Sequence, residues 1–194
     1  MKAFTLLEVI ILLVVFLMVA LLIIPLSVDD TIQARNISRW KQTYATLQDM
    51  PTTVKSISGS QIELQTFLAA LIKDYPLKNV VSYKIKYMNG DSPQEMYKFK
   101  EIYETDLGAT IAFKWLNPPK NDMNDKKIIG VLMYDVNGKQ RPNIWGKDIF
   151  GINIYSDSVK PFGREHNSSD VQFDCSKQGS GLFCSSYYLD GGAY

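Results

Sequence analysis

One stretch near the start limits what this chain can become more than any other: residues 4–24, FTLLEVIILLVVFLMVALLII, followed by Pro25. Every residue from 9 to 24 is apolar. A helix rises about 1.5 Å per residue, so about 20 residues reach across a hydrocarbon core about 30 Å thick. The stretch is therefore expected to span a membrane. Glu8 interrupts the pattern at its N-terminal border. A carboxylate inside lipid costs at least a few kcal/mol, which makes Glu8 a functional candidate in need of a partner.

Three readings of the stretch compete. A secretory signal peptide has a basic start, a shorter apolar core and small residues at the cut. Here the start is Met1-Lys2 alone, and Pro25-Leu26-Ser27 makes a poor cleavage site. A plain membrane anchor accounts for length and apolarity but leaves Glu8 unpaired. A processing signal, cut between Ala3 and Phe4, would free an α-amino group on Phe4 to neutralise Glu8.

The segment MKA-FTLLEVIILL resembles the N-terminus of type IV pilins and type II secretion pseudopilins. Those proteins carry a short basic leader, a small residue before the cut, an aromatic first mature residue and a glutamate at the fifth mature position. Counted from Phe4, Glu8 is fifth, and Pro25 falls where the family places its helix-kinking proline. The family's usual Gly before the cut is Ala3 here. The match covers residues 1 to about 27. It implies a leader over 1–3, a transmembrane and filament-core helix over 4–27, and an extracytoplasmic pilin-like domain over 28–194. It also implies cleavage at Ala3–Phe4 by prepilin peptidase, N-methylation of Phe4, and assembly through Phe4, Glu8 and Pro25.

The location so implied is the bacterial inner membrane, crossed once with the domain outside the cytoplasm, and later a periplasmic or extracellular filament. Lys2 on the cytoplasmic side agrees with the positive-inside rule. The partners implied are other pilin or pseudopilin subunits, the prepilin peptidase, the inner-membrane assembly machinery and the membrane. The function expected is that of a structural subunit of a type IV pilus or type II secretion pseudopilus. The alternative is a minor pilin acting as a tip binding module for DNA, a surface or a secreted substrate.

The chain's 194 residues suit one domain besides this segment. With 21 Lys and Arg against 20 Asp and Glu, total charge indicates no nucleic acid partner. Past Pro25 an apolar face continues through Val28, Ile32, Ile37, Trp40, Tyr44 and Leu47, so one long helix is expected over 4–49, kinked at Pro25 and ended by Asp49-Met50-Pro51. A second helix is expected over 61–73. Ser60 to Glu63 reads as its capping box, Ile62, Phe67, Leu68, Leu71 and Ile72 form its face, and Tyr75-Pro76 stops it. Strands are expected over 80–88, 97–104, 110–115, 127–135 and 149–155, with a polar loop over 117–125. The class expected is α+β: a long N-terminal helix, first transmembrane and then packed on an antiparallel sheet, pilin-like.

Residues 135–150, DVNGKQRPNIWGKDIF, admit two readings. Asn137-Gly138 after an apolar strand is a strong hairpin signal. Asp135, Asn137 and Asp148 could instead gather around a hard cation such as calcium, although the later acidic positions of an EF-hand are missing. The stretch also resembles a segment of many bacterial pilin-like proteins, DxNGxxxPNxxGxDxF, whose role there is mostly structural. No other cofactor is expected.

Cys175 and Cys184 bracket a loop with a Gly-Ser-Gly centre. A disulfide there would staple a hairpin, and two free buried thiols are the rival. Type IV pilins often carry a C-terminal disulfide-bounded loop, which this resembles in position. The single His166 and two cysteines do not make a tetrahedral metal set. No phosphate loop, nucleophile elbow or paired-carboxylate signature appears, so catalysis is not expected.

Overall fold

The computed structural model describes residues 5–58 and 63–193, and the side chains within them apart from those of 22–29, 55–58 and 64. It divides into two compact units, one running through Arg35 and the other comprising Asn36–Ala193. Helix α1 is Leu6–Ser58.

Within the first unit, α1 opens on Thr5 and presents apolar side chains on every side from Leu6 to Leu21. The expected membrane crossing is corrected here: no helix among the described residues is long and apolar enough to cross a membrane. A crossing needs about 20 apolar residues for a core about 30 Å thick, and Glu8 sits in the first turn of α1. The single-pass inner-membrane location inferred from that crossing is corrected with it. Pro25, the expected kink, has its side chain outside the described residues, as do Ala3 and Phe4.

The second unit is α+β, built on a six-stranded antiparallel meander. Its strands are β1 (Leu77–Val81), β2 (Ile102–Thr105), β3 (Thr110–Asn121), β4 (Lys127–Asp135), β5 (Ile149–Tyr155) and β6 (Val159–Pro161), hydrogen-bonded in chain order. Helices α2 (Leu64–Asp74), α3 (Ser168–Asp174) and α4 (Cys184–Tyr187) complete it.

The central strands are buried on both faces. Leu132 and Tyr134 of β4 join Phe150, Ile152 and Ile154 of β5 in one core. Val131 and Met133 join Ile149 and Tyr155 in the other. Trp40, Leu47, Met50 and Val54 of α1, with Phe67 and Leu71 of α2, close the first core. Irregular chain around Tyr87 and Trp145, with Phe162 and Leu182, closes the second. Gly151 lets the second core close, because a Cβ there would stand 2.3 Å from the Phe162 ring.

Several boundaries differ from expectation, each for a packing reason. Helix α1 runs past Pro51 to Ser58, because Met50, Pro51 and Val54 continue its buried face and offset the lost backbone donor. Helix α2 starts at Leu64, with Glu63 as a cap that makes no side-chain bond, while residues 60–62 of the expected capping box lie outside the described residues. On its face Ala70 is buried where Ile72 was expected. The strand expected over 80–88 shares only residues 80–81 with β1, which begins earlier at Leu77, and that expected over 97–104 only 102–104 with β2, which a 3-10 turn over Glu95–Tyr97 precedes. Strand β3 continues through Asn117-Pro118-Pro119, with a register shift between Trp115 and Lys120 that spares the prolines a ladder bond. Strand β6 and helices α3 and α4 had no sequence expectation.

Candidate assembly segment and the buried carboxylate loop

Thr5 and Glu8 are tied to each other. The Thr5 backbone N–H and hydroxyl both donate to Glu8 Oε2, at 2.8 and 2.9 Å. The Glu8 N–H donates back to Thr5 Oγ1 at 3.4 Å. This reciprocal cap satisfies donors that a helix start otherwise leaves open. The bonds from Thr5 hold the Glu8 carboxyl below its ordinary value. The spacing T-x-x-E from Thr5 to Glu8 is the sequence signal for such a box. Beyond Glu8, Val9 to Val19 are all 44% or more exposed, a stripe with no polar side. Apolar exposure of this extent marks an interaction surface.

The loop between β4 and β5 gathers Asp135, Asn137 and Asp148, all buried. The Val136 N–H donates to the Asp148 carbonyl at 2.9 Å and closes its base. Asp148 Oδ2 and Oδ1 accept from the backbone N–H groups of Asn143 and Ile144, each at 2.7 Å. Asp135 Oδ1 accepts from the Asn137 N–H at 3.1 Å and Oδ2 from the Tyr83 hydroxyl at 2.8 Å. Gly138, at φ +65°, passes so close to the Gly108 carbonyl that a Cβ would stand 2.2 Å from it.

Every carboxylate oxygen thus meets a protein donor, and among the described residues no group of three or more acidic, His or Cys side chains is placed to hold a metal ion. The arrangement closes a turn. The Asn-Gly dipeptide belongs to a wide loop here, wider than the two-residue hairpin its sequence suggests.

Burial, then the neighbouring Asp148 charge, pushes the Asp135 carboxyl up to about 8. Burial raises Asp148 to about 6 against the pull of its backbone donors. The loop also clamps its neighbours. Arg39 of α1 donates to the Val136 carbonyl at 3.1 Å and Asn36 to the Lys147 carbonyl at 3.3 Å. On the other side the Trp145 N–H donates to the Lys86 carbonyl at 3.0 Å, and the Lys86 N–H to the Asn143 carbonyl at 3.2 Å.

Cys175 and Cys184 form a disulfide. Its loop joins α3 to α4, which corrects the expected stapled hairpin. Asp174 organises that loop, accepting from Ser180 N–H at 2.9 Å and Phe183 N–H at 2.8 Å. The Ser180 and Gly179 carbonyls accept from Met88 and Asn89 N–H, which docks the loop on the chain before it. His166 lies against the Phe183 ring at 4.1 Å between centroids.

Compared with family models, curated proteins and solved structures, the chain matches none.

Proposed function

We propose that this chain is a structural subunit of a pilin-like filament, assembled by packing its N-terminal apolar helix against the same helix of further copies. The observation that carries the reading is the exposed stripe from Leu6 to Leu21 on α1. A helix apolar on all sides is stable in water only when covered. Burying each Leu, Ile or Val contributes about 1.5–3 kcal/mol, so a bundle of such helices is strongly favoured. A second copy is the occupant because its segment has the same chemistry, and an all-apolar surface gives a helical bundle no side to leave wet. The MKA-FTLLE resemblance supports the same reading and adds prepilin peptidase as the processing partner. In the bundle Glu8 would meet the Phe4 amine of a neighbouring copy and set axial register.

The test is to express the chain in a host that carries a prepilin peptidase and look for filaments by negative-stain microscopy, with mass analysis of the N-terminus. Filaments whose chain starts at Phe4 are the expected result. Monodisperse chain with Met1 intact would overturn the proposal.

A further inference from the structure

The turn between β3 and β4 meets the end of β5 and the chain around the edge strand β6. Asp122 holds that turn closed. Its Oδ1 accepts from the backbone N–H groups of Asn124 and Lys126 at 2.8 and 2.9 Å, and its Oδ2 from the Tyr155 hydroxyl at 2.9 Å. Lys160 of β6 lies over the Tyr155 ring, with Nζ 5.4 Å from the centroid. Glu165, in the turn after β6, receives both sides: Oε1 accepts from Lys160 Nζ and Oε2 from Asn124 Nδ2.

One carboxylate thus bridges an amine and an amide, and brings the amine nitrogen beside the amide group. Held side by side on fixed turns, the two need no diffusional encounter to react. Both Asp122 oxygens already have donors, so Glu165 is the carboxylate that exchanges a proton with Lys160. The side chains of Lys160 and Glu165 are only 27% and 16% exposed. Burial penalises both charges of the pair, which lowers the cost of passing a proton from Nζ to Oε1. Asn124 is exposed, so a leaving group departs directly into water.

We propose that Lys160 and Asn124 join in an isopeptide bond, with Glu165 as the acid–base group. Lys160 Nζ gives one proton to Glu165 and attacks Asn124 Cγ with the electron pair so freed. The attacking nitrogen sheds a second proton as the adduct collapses. The Cγ–Nδ2 bond breaks with its electron pair on nitrogen, which takes up that proton and the one held by Glu165 and leaves as ammonium. Glu165 returns to its starting carboxylate, and the step needs no oxidant, nucleotide or metal. The new bond ties the tip of the β3–β4 hairpin to the edge strand.

All three residues belong to the Asn36–Ala193 unit, so the outcome does not depend on filament assembly. The experiment measures the intact mass of the full chain, folded in non-ionic detergent and then denatured, with peptide mapping of the same sample. The parent is expected to be lighter than its sequence by one ammonia, and its digest to contain a branched peptide joining Asn124 to Lys160. Lys160→Arg, which keeps the cation, Asn124→Ala and Glu165→Gln are all expected at full sequence mass. Lys120→Arg, on the surface nearby in sequence, is expected to lose ammonia as the parent does. The parent should melt more than about 5 °C above Lys160→Arg, because the link restricts the unfolded chain. A parent chain at full sequence mass after prolonged incubation in the folded state would overturn the proposal. So would a Glu165→Gln chain that links as fully as the parent, or a branch through another lysine.

Discussion

Glu8 shows how one side chain can serve two masters. Its carboxylate is bonded to Thr5 in the isolated chain, and in the proposed bundle it would take a neighbour's amine. Thr5→Ala removes the hydroxyl half of the cap and leaves the charge. Glu8→Ala removes both. If Glu8 acts in assembly, Glu8→Ala should abolish filament incorporation while Thr5→Ala reduces it only slightly, as counted by pull-down of tagged subunits. Equal behaviour of the two variants would reduce Glu8 to a capping residue. Asp135 gives a second residue-scale prediction. Its folded value, about 8, lies above the ordinary aspartate value of about 3.9, so the folded state holds the proton more tightly. Stability from this group is full below about pH 4 and is lost as pH rises through about 8. The thermal midpoint should fall between pH 5 and pH 9, and Asp135→Asn should flatten that fall. A steeper decline in the variant would contradict the assignment.

At the scale of elements, β4 and β5 were legible to the residue because both are long apolar runs bounded by turn residues, buried on either side. Pattern failed where tertiary packing outweighed local chemistry. Pro51 reads as a stop, yet the core takes Met50, Pro51 and Val54 as one face. Pro118 and Pro119 read as a loop, yet a register shift accommodates them in β3. The short helices α3 and α4 had no periodicity to read, since each spans barely a turn or two. Their fixed point is the disulfide, whose loop was visible in the cysteine spacing. Cys175→Ser should lower unfolding free energy by about 2–3 kcal/mol, read from urea midpoints. A change below about 0.5 kcal/mol would mean that Asp174 alone holds the loop. The join of α1 to α4 is tested by Trp40, whose Nε1 donates to the Ser185 carbonyl at 2.8 Å and whose ring stacks on Phe150. Trp40→Phe keeps much of the packing but orphans that carbonyl, and should cost about 1–3 kcal/mol.

For the whole molecule, the sequence declared an apolar segment and a folded domain but not what covers the segment. The residues themselves are equally compatible with lipid and with other helices, since Leu, Val and Ile bury as readily in either. What separates the two is that no helix among the described residues is long and apolar enough to cross a membrane, whereas a helical bundle sets no such minimum. Val14 tests the bundle at its middle. It is 44% exposed on α1 and belongs to the unit that excludes the sheet. Val14→Asp would place an unpaired carboxylate inside a packed helical core, at a cost of several kcal/mol for each subunit, with no donor nearby to offset it. Chemical cross-linking should then give monomers where the parent gives a ladder, while the thermal midpoint of the Asn36–Ala193 unit stays unchanged. Val14→Leu, which keeps the surface apolar, should restore the ladder. A Val14→Asp chain that still cross-links into long oligomers would show that copies meet through another surface, and the role of the N-terminal helix would have to be sought elsewhere.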